Sequence, residues 1–440
     1  MNVLVMAGQL ILGLAILVTL HELGHFLAAR MFGIRVEKFY LFFDAWGFKF
    51  FSFRKGDTEY GIGWLPLGGY VKIAGMIDES LDSDAMKQPP QPWEFRSKPA
   101  WQRLIVMVGG VFMNVILGIA IYTMVLSKYE KNYLPNSEVR DGIYAFELGK
   151  KIGLQDHDQI VAINGKPFVR FEDVLSSRVI LGNSITVNRN GKEIEIPIPD
   201  GFYRETMKMG KGNFVAPYQA HLKIDSVFAG LPAAAAGIRE GDKLLSVNGQ
   251  RVFSVETCKK IIGQNKSNSV TVQVARGNDT LTIMPVVNDS GLIGVRFMPD
   301  FGNYPLTDYT LGSAFYFGTS DAFEAIISNI KGLKQILRGK EKASENLQGP
   351  IGIATIYGPV LEWSRFWTIT GLLSMILAFM NILPIPALDG GHVVFLLIEA
   401  ITRKRFSDKF MERAQIAGMI ILLSLMAFSV GNDIWKHWLN

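Results

Sequence analysis

Residues Val3 to Leu20 carry no charge over eighteen positions and run directly into His21-Glu22-Leu23-Gly24-His25. With the residues that follow, such a run is long enough to cross most of the hydrocarbon core of a bilayer. Ionisable side chains in a spanning segment are costly and tend to be there for a function. On a helix, positions i and i+4 share a face, so His21 and His25 can turn imidazole nitrogens toward one metal ion while Glu22 sits alongside as a proton acceptor. That grouping is the pattern of hydrolytic zinc chemistry. The structural alternative is two histidines and a glutamate satisfied by neighbouring helices or interfacial water.

Three further apolar runs, Leu104 to Leu126, Phe366 to Leu388 and Ala414 to Val430, bring the expected number of spans to four. They account for a hydrophobic content of 49% and a mean hydropathy of +0.20, more than a water-soluble chain of 440 residues needs. No Lys or Arg precedes the first run, so the charged leading region of a cleavable signal peptide is not expected. Between the first two runs lie eleven lysines and arginines (Arg30, Arg35, Lys38, Lys49, Arg54, Lys55, Lys72, Lys87, Arg96, Lys98 and Arg103). Arg403, Lys404, Arg405, Lys409 and Arg413 lie between the last two. Positive loops stay on the cytoplasmic side, which places the long middle segment on the opposite, extracytoplasmic side. No basic-aromatic array points to nucleic acid. Cys258 is the only cysteine, which excludes an intrachain disulfide and a cysteine-based zinc site.

Between about residues 130 and 290 the apolar runs shorten and Asn-Gly turns appear, which reads as strand-rich structure. Gly153-Leu154 through Asn164-Gly165 returns 84 residues later as Gly237-Ile238 through Asn248-Gly249. The repeat resembles tandem PDZ domains of the bacterial type. The second copy follows that pattern closely, whereas the first has His157 where the second has Gly241, and Lys150-Lys151 in place of small residues. PDZ domains take an extended peptide onto a sheet edge and often capture its terminal carboxylate; the first copy either does this or acts as a spacer. His157 and His221 read as ordinary surface or core histidines.

Phe48 to Phe53 and Thr58 to Ile73 are rich in aromatic and β-branched residues, with Pro66, Gly68 and Gly69 as turn formers, and predict a β-hairpin close to the membrane. Open strand edges do not survive in lipid, so the hairpin is either shielded, left for an extended partner strand, or held at the cytoplasmic surface by its aromatics. Phe323, Ile326, Ile327, Ile330, Leu333 and Leu337 recur at helical spacing and predict an interfacial amphipathic helix over Asp321 to Leu337.

A tetrahedral zinc that keeps one position for water needs a third protein ligand. Asp389 stands out in Asn381-Ile382-Leu383-Pro384-Ile385-Pro386-Ala387-Leu388-Asp389-Gly390-Gly391-His392, where the prolines interrupt the helix and the glycines admit close backbone approach. N-capping a helix from Val393 is its other role, compatible with metal binding. With HExxH in the first run, Asn-x-x-Pro-x-Pro-x-Leu-Asp-Gly in the third, and PDZ-like repeats between the second and third, the chain resembles the bacterial site-2 proteases. These are intramembrane zinc metalloproteases that include the regulator of sigma-E protease. Leu65 to Lys72 and Gly110-Val111-Phe112-Met113-Asn114 are similar to family segments as well, although the family usually has Gly-Pro near Gly109-Gly110-Val111.

The resemblance implies zinc ligands His21, His25 and Asp389, catalytic Glu22, a substrate-positioning Asn381, and no ligand role for His392. It implies a zinc metalloendopeptidase of the bacterial inner membrane that cleaves single-span proteins inside the bilayer, such as a trimmed anti-sigma factor or remnant signal peptides. Peptide termini would bind at the PDZ domains, and the active site would lie toward the cytoplasm. The expected architecture is a multi-pass α-helical membrane protein with four transmembrane helices and a membrane-associated β-hairpin, carrying two tandem α+β PDZ domains. Residues 1–128 and 301–440 would form the membrane part, 129–205 the first PDZ domain and 206–300 the second. The competing functions are an inert PDZ scaffold and a membrane-anchored protease acting on soluble peptides.

Overall fold

The computed structural model describes residues 2–66, 68–76, 89–253, 255–339, 344 and 348–436. Leu67 of the expected hairpin segment and Lys87 of the basic connection lie outside the described residues. The chain divides into two compact units, one made of Met1–Lys131 with Tyr309–Asn440 and the other of Asn132–Asp308.

The first unit is helical around a small sheet. Its helices are α1 (Asn2–Met31), α2 (Ala100–Val125), α3 (Leu311–Leu337), α4 (Pro350–Tyr357), α5 (Trp363–Ile382), α6 (Asp389–Thr402) and α7 (Asp408–Ile434). Among the described residues four stretches are long and apolar enough to cross a membrane: Val3–Met31, Ala100–Glu130, Trp363–Ile382 and Lys409–Ile434. The third is shorter than its expected extent to Leu388. Pro384 and Pro386 lack the amide hydrogens a helix needs, and proline disfavours helical backbone in the residue before it, so α5 stops at Ile382. The chain then turns through Ala387, whose φ is 83°, and helix resumes at Asp389 itself. Asp389 therefore opens α6, with Leu388 before it, and does not cap a helix from Val393.

α1 and α2 cross in backbone contact where Gly24 faces Gly109; a Cβ on either would overlap the other's carbonyl. Without a hydrophobic drive between helices in lipid, such close approach of small residues gains the van der Waals contact that holds them. α3 starts ten residues before the expected Asp321, capped by reciprocal hydrogen bonding between Thr310 and Ser313. Its buried face is Ala314, Phe317, Gly318, Ala322 and Ala325, while Phe323, Ile327, Ile330, Leu333 and Leu337 are exposed. The small residues pack, and the large apolar stripe faces outward.

The expected hairpin is a four-stranded sheet of β1 (Val36–Leu41), β2 (Lys49–Lys55), β3 (Thr58–Gly63) and β4 (Tyr70–Ile73), in the order β2-β3-β1-β4. β2 and β3 do form a hairpin, closed at the Lys55–Thr58 pair. Thr58 to Ile73, however, does not fold back on itself: β1 inserts, parallel to β3 and antiparallel to β4. Local patterning marked the strands but carried no signal for the partner contributed by Val36–Leu41. Lys38 bonds Asp44 at 2.9 Å, and the Tyr70 hydroxyl donates to Asp44 at 2.8 Å. Lys49 and the Tyr40 hydroxyl both donate to Glu59, holding its carboxyl down at about 2.

In the second unit the sequence repeat becomes a structural one. Strands 159–163, 184–189 and 192–197 form one antiparallel sheet, and strands 243–247, 272–276 and 279–283 recur within a five-stranded sheet that also contains 221–227 and 295–300. Each half closes on the same clamp. Arg189 donates Nε and Nη2 to the two carboxylate oxygens of Asp158, both at 2.7 Å, and Nη2 again to the Gly153 carbonyl at 2.8 Å. Arg276 does the same to Asp242 and Gly237, with the same three distances. The residue before each aspartate is left-handed, His157 at φ 70° and Gly241 at φ 89°. The first core also uses Phe214 and Val215, beyond the expected break after residue 205, because strand Val215–Pro217 pairs with Ile143–Ala145.

Candidate metal centre

α1 carries His21 and His25 one turn apart on a single face, and the break after α5 returns the chain so that Asp389 at the start of α6 meets them. Asp389 Oδ2 lies 3.3 Å from Nε2 of His21 and 3.3 Å from Nε2 of His25, and the two Nε2 atoms are themselves 3.3 Å apart. Three acceptor-capable atoms at the corners of one equilateral triangle repel unless a cation or protons sit among them. For metal–ligand bonds of about 2.0–2.1 Å, the edge of a regular tetrahedron is about 3.3–3.4 Å, so the triangle matches three corners of a zinc coordination shell. His21, His25 and Asp389 form the one such metal-capable cluster among the described residues.

The imidazole of His25 is oriented from behind. Its Nδ1 lies 2.8 Å from the Val106 carbonyl on α2, an acceptor only, so Nδ1 carries the hydrogen and Nε2 presents its lone pair toward Asp389. His21 has Asn114 Nδ2 3.2 Å from its Nδ1 and Asn381 Nδ2 3.2 Å from its Nε2. Gly110, on the face of α2 that meets the site, leaves room for both ligands, since a Cβ there would overlap His25 Nε2 and the ring of His21. Nothing larger than glycine fits between this helix and the metal-facing atoms.

A cavity of about 660 Å³ opens onto the cluster, lined by His21, Glu22, His25, Asn381 and Asp389 and by the stretch from Gly68 to Ile73. Among the described residues β4 is the terminal strand of its sheet and pairs only with β1. His392 also lines the cavity but is not in the metal-capable cluster. His157 stacks on Tyr218 and His221 lies in a strand, both in the other unit. The structure thus gathers the five residues read from sequence, His21, Glu22, His25, Asn381 and Asp389, around one cavity. Val106, Gly110 and Asn114 were not given roles from sequence. A carbonyl leaves no trace in side-chain pattern, but Gly109-Gly110, spaced four residues before Asn114 on an apolar helix, is the signal that marks a close approach.

Comparison with known proteins agrees over nearly the whole length. The profile described as peptidase family M50 matches residues 9–425. A Clostridium perfringens protein named for zinc-metalloprotease activity is 26% identical over 96% of this chain and 97% of its own. The Haemophilus influenzae protein named regulator of sigma E protease is 27% identical over 98% of each chain. The protease RseP of Yersinia pestis is 27% identical over 98% of this chain and 99% of its own.

Proposed function

The chain belongs to peptidase family M50 and is a zinc metalloprotease of the membrane, and from that premise we propose that it hydrolyses peptide bonds within the transmembrane segments of single-span proteins. The observation that carries this reading is the 3.3 Å triangle of His21, His25 and Asp389, built on and between helices apolar enough to span a bilayer. His21, His25 and Asp389 would hold the zinc, which when bound would supply a Lewis acid to activate water and polarise the scissile carbonyl. Glu22, lining the same cavity, accepts the proton of the attacking water and returns it to the leaving amine. The Asn381 amide, already within 3.2 Å of a ligand nitrogen, is placed to donate to the substrate carbonyl.

A transmembrane helix hides its carbonyls in its own hydrogen bonds, so a substrate must be unwound before attack. The outer edge of β4 along the cavity would offer backbone donors and acceptors to such an extended segment, which takes the role that the expected hairpin would have had. The names of the Haemophilus and Yersinia relatives support a trimmed anti-sigma factor as substrate, with remnant signal peptides as a second class. Charge asymmetry supports an inner-membrane protein whose active site lies toward the cytoplasm and whose 132–308 unit is extracytoplasmic. In this reading that unit is a PDZ pair that engages peptide termini or excludes untrimmed substrates by size.

Replacing Glu22 with Gln tests the chemistry. Expected is full zinc content with cleavage of a reconstituted single-span substrate abolished; undiminished cleavage overturns the mechanism. Preferential turnover of water-soluble peptides, regardless of helix-breaking residues, overturns the intramembrane substrate class.

A further inference from the structure

We propose that Asn114 is the positioning residue for His21: its side-chain carbonyl accepts the Nδ1 hydrogen and so commits Nε2 to the metal. This rests on the assignment of His21 as a ligand. A neutral imidazole has one N–H and one lone pair. Around His21, Nδ1 faces Asn114 at 3.2 Å, while Nε2 faces Asn381 Nδ2 at 3.2 Å and Asp389 Oδ2 and His25 Nε2 at 3.3 Å. A ring hydrogen on Nε2 would point between Asp389 Oδ2 and the amino group of Asn381, and the ring could then not ligate through that atom. With the hydrogen on Nδ1, Nε2 accepts from Asn381 or faces the metal, and the partner at Nδ1 must be an acceptor.

Asn114 is fully buried on α2, and among the described residues its Oδ1 has no hydrogen-bond partner in the orientation that points Nδ2 at His21. A buried amide oxygen left unpaired costs about 1–3 kcal/mol. The two ends of an amide are alike in size, so the half-turn that brings Oδ1 onto the Nδ1 hydrogen leaves the packing unchanged and gives the buried oxygen a donor, while Nδ2 turns into the space that Oδ1 leaves. One rotation therefore resolves both conflicts at once, the donor-on-donor contact and the unpaired oxygen. His21 then stands as His25 does, with an outer acceptor on Nδ1, an amide carbonyl of a side chain in place of the main-chain carbonyl of Val106. Both acceptors come from α2, which makes that helix the rear wall of the centre although it supplies no ligand.

The test is zinc affinity, measured by chelator competition on the full-length protein in detergent. Asn114→Leu keeps the size and loses the acceptor; Asn114→Asp keeps an oxygen at Nδ1. Expected is a 10- to 100-fold weaker zinc affinity for the leucine form and an affinity within a few-fold of native for the aspartate form. A packing role alone predicts the reverse order, because leucine suits a buried apolar helix and a carboxylate does not. Native affinity in Asn114→Leu, or equal loss in both forms, overturns the proposal. The nitrogen-15 spectrum of the zinc-loaded native protein gives an answer that needs no Asn114 variant: the His21 ring, identified by its absence in His21→Ala, carries its hydrogen on Nδ1, and a hydrogen on Nε2 overturns it. Zinc retained by His21→Ala would instead break the ligand assignment.

Discussion

The metal centre and the 132–308 unit both set a carboxylate against the nitrogens of basic side chains, but they assemble it over different reaches of chain. Asn381 and His21 come together from 360 positions apart, whereas the Asp158–Arg189 and Asp242–Arg276 clamps close within 31 and 34 positions. A clamp that closes locally can be copied whole and then drift, which the chain records at His157. A site drawn from α1, α2, α5 and α6 has no second copy among the described residues, and each of its parts is held by elements that must all be in place. The lesson is one of tolerance: the distributed centre has little, the repeated clamp has some.

Substitution of Asp389 by Ala should break the centre most completely, with loss of bound zinc and of all measurable cleavage; wild-type metal content by elemental analysis would require another third ligand. Gly110→Val should come next. Its side chain would enter the space of both histidines, so zinc affinity is expected to fall by at least the 10- to 100-fold typical of outer-sphere changes, with the protein still inserted in the membrane. Zinc affinity unchanged in this variant would show that the helices yield more readily than their backbone contact implies.

The clamps should respond more moderately. Asp242→Ala leaves Arg276 without its carboxylate partner, and with that arginine partly exposed the loss of stability should be about 2–3 kcal/mol, below the full penalty for a buried ion pair. Denaturation of the 132–308 unit monitored half by half would check it, and Asp158→Ala should weaken the first half by a similar amount. The smallest effect is expected at His157→Gly. A left-handed residue other than glycine costs about 1–2 kcal/mol, offset here by stacking on Tyr218, so a gain of about 1 kcal/mol is expected. A loss would mean that the ring contact outweighs the backbone strain.

Much of the helical architecture was legible because a bilayer imposes a length and an apolarity that a sequence displays directly. The boundaries were less so: the third apolar run continues to Leu388 in composition, but Pro384 and Pro386 end the helix at Ile382, and that break is what delivers Asp389 to the site. The sheet was legible as strands and not as an order, since β1 inserts between β3 and β4 through hydrogen bonds that no local pattern encodes. On α3 the large apolar residues marked an amphipathic helix but not its buried face, which is Ala314, Phe317, Gly318, Ala322 and Ala325, mostly small residues that let helices approach closely.

What the sequence determined by itself was the class and the candidate atoms: a histidine pair with a carboxylate beside it in an apolar span, an aspartate in an Asn-x-x-Pro-x-Pro-x-Leu-Asp-Gly segment, and a repeat whose two copies differ. Only the tertiary structure decided that three ligand atoms stand 3.3 Å apart, that Val106 and Asn114 face the outer nitrogens of the histidines, and that Gly110 keeps the space between them. Residue types fix which atoms can bind a metal. Their convergence depends on helices crossing at backbone distance, which is a property of packed surfaces and not of any one segment.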